Sequence, residues 1–181
     1  MSQDMVTVAR ALHFSAQKHA GQKRKGARAE PYINHLAEVA LLLAEAGCDA
    51  AVVAAGLLHD TIEDTATTAA ELEAVFGRDT AVLVVEVTDD KSLPKERRKQ
   101  LQIETAAAKS QAARAIKIAD KISNLRSLAA SPPVGWDTAR KRDYLRWAKA
   151  VVDQCRGVHP GLELLFDQAH EQGLASLDAG P

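Results

Sequence analysis

Hydrophobic residues recur at intervals of three and four positions along most of the chain, which is the spacing of amphipathic helices. The first segment of this kind covers residues 6–20, and Gly21 then opens a basic loop that extends to Pro31. Residues with a preference for helix N-termini precede several later segments, namely Asp49 before one of them and Thr67 or Thr68 before another. The pattern predicts further helices over residues 35–46, 50–59, 69–76, 79–87, 95–109, 112–128, 136–155 and 162–172.

Residues 81–85, with the sequence Ala-Val-Leu-Val-Val, have a composition that also suits a strand. The segment is short and Asp79 caps its start, and both features favour a helix. Strong helix formers dominate the 181 residues, so the chain is predicted to fold as one all-α domain spanning residues 1–181. Residues 174–181 are expected to fray as a terminal tail.

The formal net charge is −1, so no global field favours nucleic acid or an anionic membrane as a partner. The basic residues are clustered, and local clusters in a near-neutral protein suit a small polyanion better than a duplex. The cluster over residues 140–146 is interpreted as a solvated helix face. The clusters are Lys23, Arg24, Lys25 and Arg28; Lys91, Lys95, Arg97, Arg98 and Lys99; and Arg140, Lys141, Arg142 and Arg146.

The two cysteines, Cys48 and Cys155, are far apart in sequence and form no CxxC motif. This usage argues against a disulfide framework or a zinc ribbon and fits a reducing compartment. The first residues do not have the pattern of a signal peptide. No apolar run approaches the ~20 residues needed to cross a bilayer. We therefore expect a cytoplasmic protein without a membrane partner, and the sequence gives no indication of its oligomeric state.

The dipeptide His59-Asp60 is the strongest chemical signal in the sequence. It closes the apolar run 50–58 and is followed by the acidic pair Glu63-Asp64, one helical turn further on. Carboxylates that are desolvated together repel one another and tend to take up protons. A divalent cation would remove that conflict, and residues four apart on a helix share a face. The segment therefore predicts a metal site with an acidic pair beside it.

Two further residues complete the predicted metal site. His35 stands at the start of a predicted helix, and Asp120 lies among apolar residues of another, where a buried acid needs a partner. The ordered set His35, His59-Asp60 and Asp120 is much more specific than an isolated His-Asp dipeptide. Two imidazoles and two carboxylates form a harder set than thiolates, which favours Mn²⁺ and leaves Fe, Co or Zn as alternatives.

At this point several motifs, in the same order, resemble the hydrolase domain of RelA/SpoT-type enzymes, and above all the single-domain small alarmone hydrolases. The resemblance is strongest over residues 5–130 and implies an HD-domain helical bundle. It rests on segments 21–25 (GQKRK), 31–35 (PYINH), 55–65 (AGLLHDTIEDT), 76–77 (FG), 87–88 (VT) and 116–126 (IKIADKISNLR).

The resemblance also implies a function, namely Mn²⁺-dependent removal of the 3′-diphosphate from (p)ppGpp to give GDP or GTP and pyrophosphate. His35, His59, Asp60 and Asp120 match the metal ligands of the family. Glu63 and Asp64 match the acidic pair that positions and activates the attacking water. The residues that match nucleotide or phosphate contacts are Arg24, Lys25, Tyr32, Asn124 and, more weakly, Lys91, Arg97 and Arg126.

The sequence departs from the family at Leu36, where proline usually follows the first metal histidine. Proline there would favour the first helical turn, so little effect on the chemistry is expected. Other substrates stay open, because base choice depends on pocket shape, which has no sequence signature. The alternatives are ppApp and the 2′-phosphate of NADPH. A non-catalytic alarmone receptor and a purely structural helical protein are disfavoured, because all the acids and metal ligands are present.

Overall fold

The computed structural model describes residues 2–178, and these residues form ten helices. The predicted all-α fold is confirmed, and residues 81–85 lie within a helix rather than a strand. Among the described residues the only β-type pairing consists of two isolated bridges. The helices are α1 (Gln3–Lys18), α2 (Ile33–Glu45), α3 (Ala50–Leu58), α4 (Thr61–Asp64), α5 (Ala69–Phe76), α6 (Arg78–Val87), α7 (Lys95–Ala106), α8 (Gln111–Ala130), α9 (Thr138–Asp153) and α10 (Pro160–Asp178).

Polar side chains cap several of these helices at the predicted positions. Asp49 accepts a hydrogen bond from the amide of Val52, and Thr68 accepts one from the amide of Glu71. Each bond satisfies a backbone donor that the first helical turn leaves without a partner. The caps therefore fix where α3 and α5 begin, and both starts agree with the sequence pattern.

Helix α8 lies at the centre of the bundle and packs against α2, α6, α9 and α10. Helix α3 packs against α1 and α2 and is buried over its last six residues, 53–58. Gly56 permits the close approach of α3 to α2, because a Cβ atom there would lie 2.5 Å from Cδ1 of Leu43. The carboxyl end of α3 and the middle of α8 are thus held in one continuous apolar core.

Several helix bounds differ from the sequence prediction by one to three residues, and two regions differ more clearly. Helix α10 continues to Asp178, so the predicted fraying is wrong for residues 174–178, where Leu174 and Leu177 pack on the core. Residues 179–181 lie outside the described part of the chain. The apolar run of α3 does not continue as one helix, because residues 59–60 form a turn and the short helix α4 follows.

The basic loop between α1 and α2 is fixed against the chain that follows α8. Gly26 pairs with Pro133, and the amide of Arg28 donates to Oγ of Ser131. A Cβ atom on Gly26 would lie 2.2 Å from the carbonyl oxygen of Ser131, so only glycine fits there. This contact positions the loop beside α8. No helix in the described range 2–178 is long and apolar enough to span a bilayer.

Candidate active site

The four predicted metal-binding side chains converge where α2, α3 and α8 meet. Nε2 of His35 lies 3.3 Å from Oδ1 of Asp120 and 3.7 Å from Oδ2 of Asp60. Nε2 of His59 lies 3.2 Å from Oδ2 of Asp60 and 3.8 Å from Oδ1 of Asp120. Ligands bound to one ion at about 2.0–2.2 Å can lie up to about 4.4 Å apart, so each of these imidazole–carboxylate separations fits a shared ion. Ligand atoms of His35, His59 and Asp120 all lie within 4.8 Å of one another, whereas Asp60 lies beside both imidazoles but outside that group of three.

Hydrogen bonds turn both imidazoles toward this point. Nδ1 of His59 lies 2.7 Å from the carbonyl oxygen of Gly56, and Nδ1 of His35 lies 2.8 Å from Oγ of Ser123. A carbonyl only accepts, so Nδ1 of His59 carries a proton and Nε2 is the nitrogen that faces the carboxylates. That Nε2 atom is buried and has no hydrogen-bond partner. A buried imidazole nitrogen without a hydrogen bond is a suitable ligand atom for a divalent cation at the centre of the cluster.

The two carboxylates are also held by neighbouring side chains, in part through the same oxygen atoms that face the imidazoles. Lys121 donates to Oδ2 of Asp120 at 2.8 Å, and Asn124 donates to Oδ1 at 2.6 Å. The hydroxyl of Tyr32 donates to Oδ2 of Asp60 at 2.6 Å. These bonds fix the orientation of both carboxylates before any ion binds, as is typical of metal sites.

The electrostatics of the cluster favour a positive charge at its centre. Burial raises the pKa of Asp60, but the nearby His59 outweighs that effect and holds the carboxyl pKa below its usual range. Burial likewise opposes ionisation of Asp120, whereas Lys121 lowers its pKa well below the usual range. Burial lowers the pKa of His35, which favours its neutral, metal-binding form. The site therefore offers two ionised carboxylates with at least one neutral imidazole.

The acidic pair lies on α4, one turn beyond the His-Asp dipeptide. Oε1 of Glu63 lies 3.4 Å from the Arg98 guanidinium, and Oε2 lies 3.4 Å from the amide of Asp89. Burial, together with the charges of Asp89 and Asp60, raises the pKa of Glu63 to about 6. Such a carboxyl can exchange a proton near neutral pH, as a general base must.

Asp64, the second acid of the pair, lies at the edge of a large cavity and forms an ion pair with Lys91. Its backbone carbonyl accepts a hydrogen bond from Gln22 at 3.0 Å, which joins α4 to the basic loop that follows α1. Asp64 thus lies one helical turn after the His-Asp dipeptide and lines the open part of the site.

The cavity has a volume of about 640 Å³, within the range that encloses a nucleotide-sized ligand. Aromatic side chains form one wall, and basic side chains outnumber acidic ones six to three around it. A polyanion with a planar ring would match both features. The charged lining residues are Lys23, Arg24, Lys25, Lys95, Lys99 and Arg140, with Asp64, Glu96 and Asp143, and the aromatic ones are Tyr32, Trp136, Tyr144 and Trp147.

Four of the seven predicted substrate contacts, Arg24, Lys25, Tyr32 and Asn124, line this cavity. The guanidinium of Arg24 lies over the Tyr32 ring and donates to Asn124 at 2.9 Å. Lys91, Arg97 and Arg126 are not among the lining residues. They form ion pairs with Asp64, Glu104 and Glu38, respectively. The structure therefore separates the predicted contacts into two groups.

The sequence prediction missed the lining residues of α7 and α9. Lys99 lies over the ring of Trp147, and the Trp147 indole donates to the carbonyl oxygen of Lys99 at 3.0 Å. Arg140 lies over the ring of Trp136 at 4.6 Å and lines the cavity, although its cluster was interpreted as a solvated face. The available signal was the placement of tryptophans beside lysines and arginines in otherwise polar helices.

Comparisons with known proteins agree with this geometry. The HD domain family matches residues 11–145. The guanosine-3′,5′-bis(diphosphate) 3′-pyrophosphohydrolase MESH1 of Xenopus tropicalis is 47% identical over 178 residues, covering 97% of this chain and 99% of that protein. The enzyme of the same name from Homo sapiens is 46% identical and covers 90% of this chain and 92% of its own length.

A solved structure is similar over most of the fold. It belongs to a metazoan ortholog of SpoT, which is described as hydrolysing ppGpp and playing a role in starvation responses. It superposes with a TM-score of 0.88 at 45% sequence identity, covering 92% of this chain and 94% of its own. The similarity thus extends over almost the whole length of both chains.

Proposed function

The chain belongs to the HD domain family, and from this membership we propose that it is a metal-dependent hydrolase of (p)ppGpp-type alarmones. The reaction removes the 3′-diphosphate from the nucleotide and yields GDP or GTP and pyrophosphate. The similar proteins from Xenopus tropicalis and Homo sapiens carry names that describe this reaction. Their similarity over nearly the full length supports the same substrate class here.

One observation carries the proposal, namely that a cation-binding cluster lies next to a basic, aromatic-lined cavity. Tyr32 connects the two, since it donates to Asp60 and lines the cavity, which Asp64 also lines. A nucleotide with diphosphate groups needs a planar surface for its base and cations for its phosphates. The excess of basic over acidic side chains in the lining supports such a ligand.

His35, His59, Asp60 and Asp120 are the residues that would hold the cation. Two nitrogen and two carboxylate donors suit Mn²⁺, and we propose it as the working ion. When bound, the cation would supply Lewis-acid activation of water and of a phosphoryl oxygen. The partners of the ligands, including Lys121 and the Gly56 carbonyl, would keep the donor atoms in place during turnover.

Glu63 and Asp64 are assigned the proton chemistry. Glu63 has a pKa raised to about 6 and would accept a proton from the attacking water. Asp64 faces the cavity and would orient that water toward the phosphorus of the 3′-diphosphate. The nucleoside 3′-oxygen would leave in line, and basic side chains such as Lys95 and Lys99 would offset the charge on the diphosphate.

Arg24, Lys25, Tyr32 and Asn124 are assigned to nucleotide binding. The guanidinium of Arg24 already lies over an aromatic ring, and its flat face could equally cover a purine. Asn124 bonds both Arg24 and Asp120, so it connects the nucleotide contacts to the cation cluster. The roles of Lys91, Arg97 and Arg126 in phosphate binding stay predictions.

The test is a substrate panel of ppGpp, pppGpp, ppApp and NADPH, assayed with Mn²⁺ and separately with a chelator. We expect pyrophosphate and GDP or GTP from the guanine alarmones, and no turnover with the chelator. Turnover of ppApp alone, or release of phosphate from NADPH alone, would replace the proposed substrate. Release of phosphate rather than pyrophosphate from ppGpp would contradict the bond that we propose is broken.

A further inference from the structure

We propose that Ser123, Glu38 and Arg126 form a positioning relay that holds His35 in its metal-binding tautomer. The inference rests on the proposed role of His35 as a cation ligand and gives Ser123 and Glu38 a role that the motifs did not assign. In this assignment Ser123 and Glu38 are positioning residues and touch neither substrate nor cation. Arg126, whose phosphate contact stays a prediction, pairs with Glu38 and closes the relay.

The relay is a continuous chain of hydrogen bonds from the cation cluster to the surface. Nδ1 of His35 lies 2.8 Å from Oγ of Ser123, and that hydroxyl donates to Oε2 of Glu38 at 2.7 Å. Arg126 donates to the other oxygen, Oε1 of Glu38, at 3.0 Å. The chain joins α2 to α8, the two helices that provide His35 and Asp120.

The chemistry of each group fixes the direction of the protons. A carboxylate only accepts, so the Ser123 hydroxyl must use its one proton to donate to Glu38. Its lone pairs then face His35, and Nδ1 must carry the proton to make the observed contact. Nε2 of His35 is consequently left with its lone pair toward Asp60 and Asp120. Without Glu38 the hydroxyl could rotate and offer its proton to Nδ1, which stabilises the tautomer that cannot bind an ion.

The side chains of the relay become more exposed from His35 toward Arg126. Ser123 is 1% exposed and His35 is 3% exposed, so water cannot replace the bond between them. The side chains of Glu38 and Arg126 are 33% and 41% exposed, so water can partly substitute for each of them. The expected effect on cation binding therefore decreases from Ser123 through Glu38 to Arg126.

The relay differs from the arrangement at the other histidine. His59 is oriented by a backbone carbonyl, that of Gly56, which no side-chain substitution removes. His35 depends on the Ser123 hydroxyl, which can both donate and accept a hydrogen bond. Such a group selects one tautomer of the imidazole only when its own proton is already donated to another acceptor. Glu38 accepts that proton, so it would influence cation binding without contacting the ion.

The experiment measures Mn²⁺ affinity of the full chain for Ser123→Ala, Glu38→Gln and Arg126→Gln, by competition with a metal-indicator dye. Loss of a hydrogen bond to a metal-binding histidine typically weakens affinity by about 10–100-fold, which we expect for Ser123→Ala. Glu38→Gln should give a smaller loss, and Arg126→Gln about threefold or less, as for exposed ion pairs. Ser123→Thr keeps the hydroxyl and should recover most of the affinity.

Two controls separate the relay from a merely structural role. Glu45→Gln makes the same charge change at an exposed position of α2 and should leave Mn²⁺ affinity unchanged. Nitrogen-15 NMR of the metal-free protein should show Nδ1 of His35 protonated in wild type and a mixture of tautomers in Glu38→Gln. Thermal unfolding of the metal-free variants checks that each one folds.

The outcomes distinguish failure of the relay from failure of the proposed function. If wild type binds Mn²⁺ and hydrolyses ppGpp while Ser123→Ala binds Mn²⁺ equally well, the relay is overturned and the function stands. An unchanged His35 tautomer in both Ser123→Ala and Glu38→Gln would also overturn it. If wild type binds no divalent cation, both proposals are overturned together.

Discussion

The cation cluster and the basic cavity adjoin one another, but they are built in opposite ways. Each side chain of the cluster is buried or nearly so and is held by a specific partner, such as Ser123 for His35 and Lys121 for Asp120. The cavity is lined by long, exposed cations such as Lys95 and Lys25, which form no ion pair with a carboxylate within residues 2–178. The cluster is therefore preorganised for one ion, and the cavity retains freedom to fit a larger ligand.

This difference predicts two classes of mutational effect. A side chain removed from the cluster leaves buried charges without partners, and the effect should appear in cation content and turnover. A side chain removed from the cavity loses a contact that water can partly replace, and the effect should appear in KM. The predictions below test that division, beginning with the largest effect.

His59→Ala should give the largest loss. We expect the variant to lose its cation and turnover to fall by at least about three orders of magnitude, because a cation lowers the pKa of water from 15.7 to about 7. Elemental analysis after purification with Mn²⁺ measures the ion content. His13→Ala removes an exposed histidine of α1 and should keep both the ion and activity. One equivalent of tightly held ion in His59→Ala would contradict the assignment of the cluster.

Glu63→Gln should separate chemistry from cation binding. The variant should keep its ion but lose about 10²–10⁴-fold in kcat, the usual contribution of a general base. Because the pKa of Glu63 is raised to about 6, wild-type kcat should rise with pH through about 6 as the carboxylate becomes deprotonated. That limb should be absent in Glu63→Gln. The exposed Glu73→Gln on α5 is the matched control, and a retained pH limb in Glu63→Gln would assign the base elsewhere.

Arg140→Ala and Arg142→Ala compare two arginines of the same helix. Arg140 lines the cavity, whereas Arg142 pairs with Asp178 at the surface. Loss of a charge-assisted hydrogen bond should raise KM for ppGpp about tenfold in Arg140→Ala with kcat nearly unchanged. Arg142→Ala should stay within about twofold of wild type. Steady-state kinetics decides, and equal KM values for the two variants would exclude the α9 face from substrate binding.

Lys95→Ala and Arg97→Ala should give the smallest effects and refine the limit of the cavity. Lys95 lines the cavity, and Arg97 bonds Glu104 on the exposed side of α7. We expect a rise in KM of a few-fold for Lys95→Ala and less than about twofold for Arg97→Ala. A larger rise in KM for Arg97→Ala would support the phosphate contact that the sequence motifs suggested for this residue.

The sequence predicted the all-α fold because helices depend on local signals. Helical spacing and caps such as Asp49 and Thr68 act over a few residues, so element starts could be read directly. The residues His59 and Asp60 are adjacent in the chain, and motif order indicated His35 and Asp120. The end of α10 was missed because tertiary packing of Leu174 and Leu177, and not local preference, extends that helix.

The cavity was predicted less completely because it is assembled from distant elements. Trp136 and Arg140 reach it only because α9 packs against α7 and α8, and no local pattern indicates that packing. Arg126 carried a motif-based expectation, but its position on α8 places it against Glu38. Sequence motifs thus indicate which residues share chemistry, whereas the packing of helices decides which way a surface cation faces.

The contact between Gly26 and Ser131 has a consequence for the choice of substrate. It joins the loop bearing Arg24 and Lys25 to the end of α8 through main-chain atoms, with no space for even a methyl group. The width of the cavity at this point is therefore set by the backbone, and most side-chain exchanges around it should leave that width unchanged. Evolution of a wider ligand range in this chain would need an insertion or deletion near residue 26 more than point substitutions in the lining.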